Sequence, residues 1–149
     1  MKKTVLFVMC ALMVLMSAQS AMAAKVYKMK LHTVGSETHQ AHQSLLDFKK
    51  YVEEQTKGGV QVTLHINAAL GGDRQATEAM QLGTLECGII GSSTLATFAP
   101  RFNVFDLPFA FKDFKTAYKV IDGPLSAKLA ADIEKQGLRI IGYGVNGFR

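Results

Sequence analysis

The residue with the clearest binding chemistry in this sequence is Arg149, which ends the segment Asn-Gly-Phe-Arg after a short apolar stretch. A guanidinium presents a planar fork of N–H donors that matches a carboxylate in a two-pronged ion pair. A hydrogen bond of this charge-assisted kind contributes about 1.5–3 kcal/mol. Two interpretations stay open at this point: Arg149 belongs to an anion-binding site, or it is an exposed end with no role.

Other polar residues stand where predicted elements begin or end. Ser92 and Ser93 follow the apolar segment Glu86–Gly91, and hydroxyls at the carboxyl end of a strand can hold an acid or its hydroxyl substituents. His32 ends the first predicted strand and can donate to an anion, while Asp73 opens a predicted helix. The alternatives are a capping loop for the serines, a solvated histidine and a helix N-cap for the aspartate.

The sequence contains no recognisable catalytic motif. Gly-x-Ser-x-Gly, P-loop and His-Glu-x-x-His patterns are all missing. His39 and His42 are three residues apart on a predicted helix, a spacing that can bind a metal, but no third ligand accompanies them. We therefore expect a protein that is not an enzyme and that uses no cofactor and no metal.

Residues 1–23 are predicted to be a secretory signal peptide. Lys2 and Lys3 precede the apolar run Val5–Met16, which small residues follow up to Ala23. The apolar run is too short to cross a bilayer as a helix, which takes about 20 residues. The pattern therefore predicts an exported chain whose mature part starts at residue 24.

Charge and cysteine content exclude further classes. The formal net charge is +5, and the basic residues are spread along the chain without interleaved aromatic residues, so no nucleic-acid partner is predicted. Cys87 is the only cysteine outside residues 1–23, which excludes a disulfide scaffold. Because it lies inside an apolar segment, we expect an inert buried thiol.

The elements that would position these residues are predicted from the hydrophobic periodicity. Alternation predicts strands, and a period near 3.6 residues with capping or breaking residues predicts helices. The predicted strands are Val26–Thr33, Val60–Ile66, Glu86–Gly91 and Leu138–Tyr143. The predicted helices are His39–Thr56, Asp73–Leu82, a helix capped by Asp113 and ending at Ile121, and Leu125–Gln136. This order predicts an α/β fold with a mostly parallel sheet and helices on both faces.

The aromatic stretch at residues 98–111 could be interpreted as a stacking platform for a sugar or a nucleic acid. Aromatic side chains more often dominate a core, and few basic residues accompany them here. We therefore predict that they are core residues, with Leu107 and Phe109 buried. Pro100 and Pro108 argue against a long regular element in this stretch.

Several segments, taken in their order along the chain, resemble one protein family. They are Leu70–Arg74, Met80–Glu86, Val104–Phe111, Asp122-Gly123, Gly137-Leu138 and Gly147–Arg149. They resemble the solute-binding subunits of tripartite ATP-independent periplasmic (TRAP) transporters, the DctP-like family. The resemblance covers residues 26–149, and its most specific parts are Leu-Pro-Phe at 107–109 and the terminal Gly-Phe-Arg.

The resemblance implies a periplasmic clamshell of the type II binding-protein fold. Such a protein encloses a small organic acid between two lobes and delivers it to the membrane subunits of a TRAP transporter. Because family members are longer, residues 24–149 are expected to be the first lobe, with the second lobe largely missing. By resemblance, Arg149 and His32 face the cleft and Asp73 lies near the pocket.

Two alternatives remain open from the sequence. One is a solute-binding protein that serves an ATP-driven importer, and the other is a periplasmic sensor or ligand-binding domain. The Leu-Pro-Phe and Gly-Phe-Arg segments favour the TRAP type over the ATP-driven importer, and the sensor alternative stays open.

Overall fold

The computed structural model describes residues 25–147, and within them the sheet has three strands that are all parallel. Strand β1 (Tyr27–His32) lies between β2 (Val60–His65) and β3 (Cys87–Gly88). β1 and β2 pair over their whole length, up to His32 opposite His65. The predicted parallel α/β arrangement is confirmed.

Every helix predicted from the sequence is present, with ends that differ by a few residues. The helices are α1 (Ala41–Gln55), α2 (Asp73–Gln81), α3 (Ser92–Leu95), a 3-10 helix (Pro100–Asp106), α4 (Phe114–Ile121) and α5 (Pro124–Glu134). The predicted cap of α4 is confirmed, because the Asp113 side chain accepts a hydrogen bond from the Thr116 amide at 2.7 Å. A proline in the first turn starts both the 3-10 helix and α5, where its missing N–H costs nothing.

The first part of the core lies between the sheet and α1. Leu31 and Val62 point to the same face of neighbouring strands, and Leu45 of α1 packs against them. All three side chains are at most 5% exposed. Since alternate residues of a strand point to opposite faces, His32 lies on the other face of β1, away from α1.

The second part of the core joins the later helices. Its buried residues are Ala96, Ala99, Phe102, Leu129 and Ile133. They come from the turn between α3 and the 3-10 helix, from the 3-10 helix itself and from α5. This second cluster forms the surface on which the last described residues pack.

The predicted strand at Leu138–Tyr143 is wrong. The segment has no strand pairing within residues 25–147, and Leu138, Ile140 and Tyr143 pack against the second cluster instead. The Tyr143 hydroxyl also donates to the Ser126 carbonyl of α5 at 3.0 Å. The alternating apolar residues are thus buried by helices and not by a neighbouring strand.

The predicted strand at Glu86–Gly91 is present only as Cys87–Gly88. Beyond it, Ile89 N still donates to the His32 carbonyl at 2.9 Å. Gly91 N then bonds to a side chain of α2 and not to a strand. The ladder is short because the chain turns at once into α3.

The predicted burial of Leu107 and Phe109 is also wrong, since they are 57% and 93% exposed. Phe109 has a φ of 57°, in the left-handed region, so the chain turns after Pro108 and this ring projects outward. The core role belongs to Phe102, which is 1% exposed and packs edge-on against Phe105 at 6.1 Å between ring centroids. The aromatic stretch is therefore only partly a core segment.

Candidate functional site

The carboxyl ends of the three strands meet at one edge of the sheet, where parallel α/β folds commonly bind ligands. His32 ends β1, and Asp73 begins α2 beside it. Gly91, Ser92 and Ser93 form the turn that follows β3 and starts α3. We refer to these five residues as the carboxyl edge, and they bring together four of the five residues proposed for binding.

Asp73 connects two elements of the carboxyl edge. Its Oδ2 atom accepts a hydrogen bond from the Gly91 amide at 3.0 Å, eighteen residues away along the chain. The predicted N-cap role is wrong, because Gly72 occupies the N-cap position in an extended conformation and Asp73 is the first residue of α2. A carboxylate in the first turn is favoured by the helix dipole, and here it also fixes the turn that carries the serines.

His32 is fully buried, so the solvated alternative is wrong. Neither ring nitrogen has a hydrogen-bond partner, and Nε2 lies 3.9 Å from Asp73 Oδ1. Burial lowers the pKa of His32, the negative charge of Asp73 opposes that shift, and His65 adds to it. His32 is therefore mainly neutral at pH 7 and presents no surface through which a ligand could reach it directly.

The two serines differ in how their hydroxyls are used. Ser92 donates to Asp106 Oδ1 at 3.1 Å, which holds the start of α3 against the end of the 3-10 helix. Ser93 is exposed at the same turn. Ser93 is thus the better placed of the two for contact with a ligand, because the hydroxyl of Ser92 is already hydrogen-bonded to Asp106.

Arg149 lies outside the described residues, but the segment that leads to it is held at a definite place. The Gln40 side chain, at the N-cap position of α1, donates to both the Asn146 carbonyl at 2.8 Å and the Asn146 side-chain oxygen at 2.9 Å. Because α1 follows β1, this contact brings the segment to the side of the fold where the strands end.

Three residues of this region are not predicted by the sequence patterns: Gln40, Asn146 and Asp106. Asp106 lies in the segment Val-Phe-Asp-Leu-Pro-Phe, which carries part of the family resemblance, so a signal for it existed. Gln40 and Asn146 are separated by 106 residues and carry no local pattern that would pair them.

Other features of the described residues lie away from the carboxyl edge. Among residues 25–147 no group of three histidine, cysteine or acidic side chains is arranged to hold a metal ion. His39 Nδ1 accepts a hydrogen bond from the Ala41 amide at 3.2 Å at the start of α1. An open depression of about 420 Å³ lies on the outer side of α1, around Lys49 and Glu53, and not at the carboxyl edge.

The described residues contain no helix with the length and apolar character needed to cross a membrane.

Cys87 is half-buried, and burial raises the pKa of its thiol, as expected for a thiol of low reactivity.

Comparison with known proteins gives one consistent family. The DctP family, described as bacterial extracellular solute-binding protein, family 7, matches residues 31–149. A TRAP periplasmic solute binding protein from Haemophilus influenzae, solved with bound L-gulonate, is 36% identical with a TM-score of 0.77. That similarity covers 82% of this chain and 40% of the other.

Two curated relatives show how much of the length is matched. The 2,3-diketo-L-gulonate-binding periplasmic protein YiaO of Escherichia coli is 31% identical over 130 residues, which are 87% of this chain and 39% of the relative. The C4-dicarboxylate-binding periplasmic protein DctP of Rhodobacter capsulatus is 32% identical over 122 residues, which are 79% and 35%. The chain thus spans less than half the length of these relatives.

Proposed function

Because this chain belongs to the DctP family of bacterial extracellular solute-binding proteins, we propose that the whole protein captures a small organic acid and delivers it to a TRAP-type secondary transporter. The observation that carries this proposal is the family match over residues 31–149. Relatives whose names or bound ligands are known support the ligand class. L-gulonate, 2,3-diketo-L-gulonate and C4-dicarboxylates all carry a carboxylate.

The architecture we propose has two lobes, of which residues 24–149 are the first. Residues 1–23 act as a cleavable signal peptide that places the protein in the periplasm. The second lobe belongs to a longer polypeptide, as the length of the relatives suggests. Ligand binding then favours the closed form, because only that form contacts the ligand from both sides.

Each residue of the proposed site has its own role in binding. Arg149 forms the two-pronged ion pair with the carboxylate of the ligand. Ser93 offers an exposed hydroxyl, while Ser92 and Asp73 hold the turn on which Ser93 stands. His32 has no exposed surface, so we assign it no direct contact with the ligand.

The test begins by extending the reading frame past the codon for Arg149 and purifying the encoded protein. Thermal shifts are measured with hydroxylated monocarboxylates such as gulonate and with dicarboxylates such as succinate. A true ligand present at a hundred times its Kd stabilises the folded state by about 2.7 kcal/mol. Absence of a shift with every acid of both kinds would refute the proposed function.

The role of Arg149 is tested with Arg149→Lys, which keeps the charge and removes the planar fork. This variant should lose most of the ligand-induced shift. Arg101→Lys is the matched control, because Arg101 pairs with Asp132 of α5 at 3.3 Å and lies outside the carboxyl edge. If Arg149→Lys retains the full shift, the carboxylate contact belongs to another residue.

A further inference from the structure

The carboxyl edge contains a buried donor–acceptor pair that the proposed contacts with the ligand do not use. Both ring nitrogens of His32 and the Oδ1 atom of Asp73 are buried without a hydrogen-bond partner. His32 Nε2 and Asp73 Oδ1 lie 3.9 Å apart. Leaving buried polar groups without partners costs free energy. His32 Nε2 can donate a hydrogen bond when it is protonated, and Asp73 Oδ1 can accept it.

We propose that His32 is a positioning residue: its Nε2–H donates to Asp73 Oδ1 and thereby holds the other carboxylate oxygen on the Gly91 amide. The separation of the two atoms must shorten by about 1 Å to reach ordinary hydrogen-bond length. The proposal therefore includes this shortening of the contact.

Each carboxylate oxygen of Asp73 then has its own hydrogen-bond donor, His32 or Gly91. Oδ1 faces the buried His32, and Oδ2 accepts from Gly91 at 3.0 Å. Gly91 is the N-cap residue of α3, so its position fixes where Ser92 and Ser93 stand. Three separate elements, the end of β1, the start of α2 and the turn before α3, are thereby held in one arrangement.

The protonation state of His32 is consistent with this role. The titratable groups that act on it are Asp73 on α2 and His65 on β2. The carboxylate of Asp73 raises the pKa of His32, whereas burial and His65 lower it and so disfavour the doubly protonated, charged ring. A neutral ring with its single proton on Nε2 satisfies the aspartate without placing an additional charge inside the protein.

The consequence for ligand binding rests on the proposed function. If the turn at residues 91–93 contacts the ligand, loss of the His32 contact lowers affinity without removing any atom that touches the ligand. We expect His32→Leu to weaken acid binding about 3- to 10-fold, as for the loss of one hydrogen bond. His32→Gln, which can still donate an N–H, should restore most of the affinity.

The experiment uses the complete protein that the extended reading frame encodes, with ¹⁵N-labelled histidine and glycine for NMR and with gulonate and succinate as probes. The His32 ring should be neutral with its proton on Nε2 at neutral pH. The Gly91 amide resonance should shift in His32→Leu and return in His32→Gln. His65→Gln is the matched control, because His65 pairs with His32 in register on β2, and it should leave the Gly91 resonance and the affinity unchanged.

Two results would overturn the proposal. One is a proton on Nδ1 in place of Nε2, and the other is a Gly91 resonance that His32→Leu leaves where it was. If His32→Leu does not fold, the tautomer of the wild-type ring still tests the proposal, because a proton on Nδ1 would exclude the contact with Asp73. Failure of all acids to bind, with Nε2 protonated and Gly91 responsive, would refute the transport function while leaving the positioning contact intact.

Discussion

Replacement of Asp73 by alanine tests whether one side chain stabilises the carboxyl edge. The substitution removes the acceptor of the Gly91 amide, a hydrogen bond of 3.0 Å that contributes about 1 kcal/mol. It also removes a negative charge from the first turn of α2, worth about 0.3–1 kcal/mol. Together these effects predict a loss of about 1–2 kcal/mol in the free energy of unfolding.

Asp73→Asn separates the two contributions, because the amide oxygen can still accept from the Gly91 amide, while the charge and the acceptor that faces His32 disappear. We expect it to cost less than Asp73→Ala, about 0.3–1 kcal/mol. Urea denaturation followed by circular dichroism measures both variants, and an unchanged m-value shows that the midpoints report stability. Asp47→Ala, on the exposed side of α1, is the control and should stay within about 0.5 kcal/mol of the wild type.

Either of two outcomes would contradict these roles of Asp73. If alanine and asparagine cost the same, the Gly91 hydrogen bond contributes nothing measurable. If Asp73→Ala costs no more than Asp47→Ala, the carboxylate does not hold the turn at all.

Two further predictions concern acid sensitivity and the second cluster. Because burial lowers the pKa of His32 from 6.5, the unfolded chain takes up that proton first as the pH falls. The stability linked to a neutral His32 is therefore complete above pH 6.5 and is lost below it. Between about pH 7.5 and about pH 5.5, the free energy of unfolding of His32→Gln should fall less than that of the wild type. Leu129 is fully buried, so Leu129→Ala should lower the free energy of unfolding, measured by urea denaturation, by about 2–5 kcal/mol. Ile141→Ala is the control, because Ile141 is 72% exposed. Equal effects of the two substitutions would contradict the assignment of the core.

The sequence was sufficient to predict β1, β2 and α1 because their periodicity is local and unbroken. At Leu138–Tyr143 the same alternation was misleading, since alternation shows that one side of a segment is buried but not whether a strand or a helix buries it. The prediction for Phe109 failed for a related reason: apolar character does not reveal a left-handed residue after a proline.

The candidate site was predicted less completely than the fold. His32 alternates with Lys28 and Lys30 along β1, a pattern typical of a polar face, so the sequence could not show that His32 is buried. Asp73 lies one residue after the N-cap and not at it, because Gly72 has the extended backbone of an N-cap residue, and no residue pattern specifies that conformation. Long-range contacts such as Gln40 with Asn146 need the folded chain.

The paired hydrogen bonds between Gln40 and Asn146 have a mechanical consequence. They fasten the chain to the first turn of α1 one residue before Gly147, whose φ of 133° suits glycine and whose surroundings are open among the described residues. The described part of this segment is therefore fixed in place up to Asn146. A glutamine 106 residues earlier in the sequence thus determines where this segment lies.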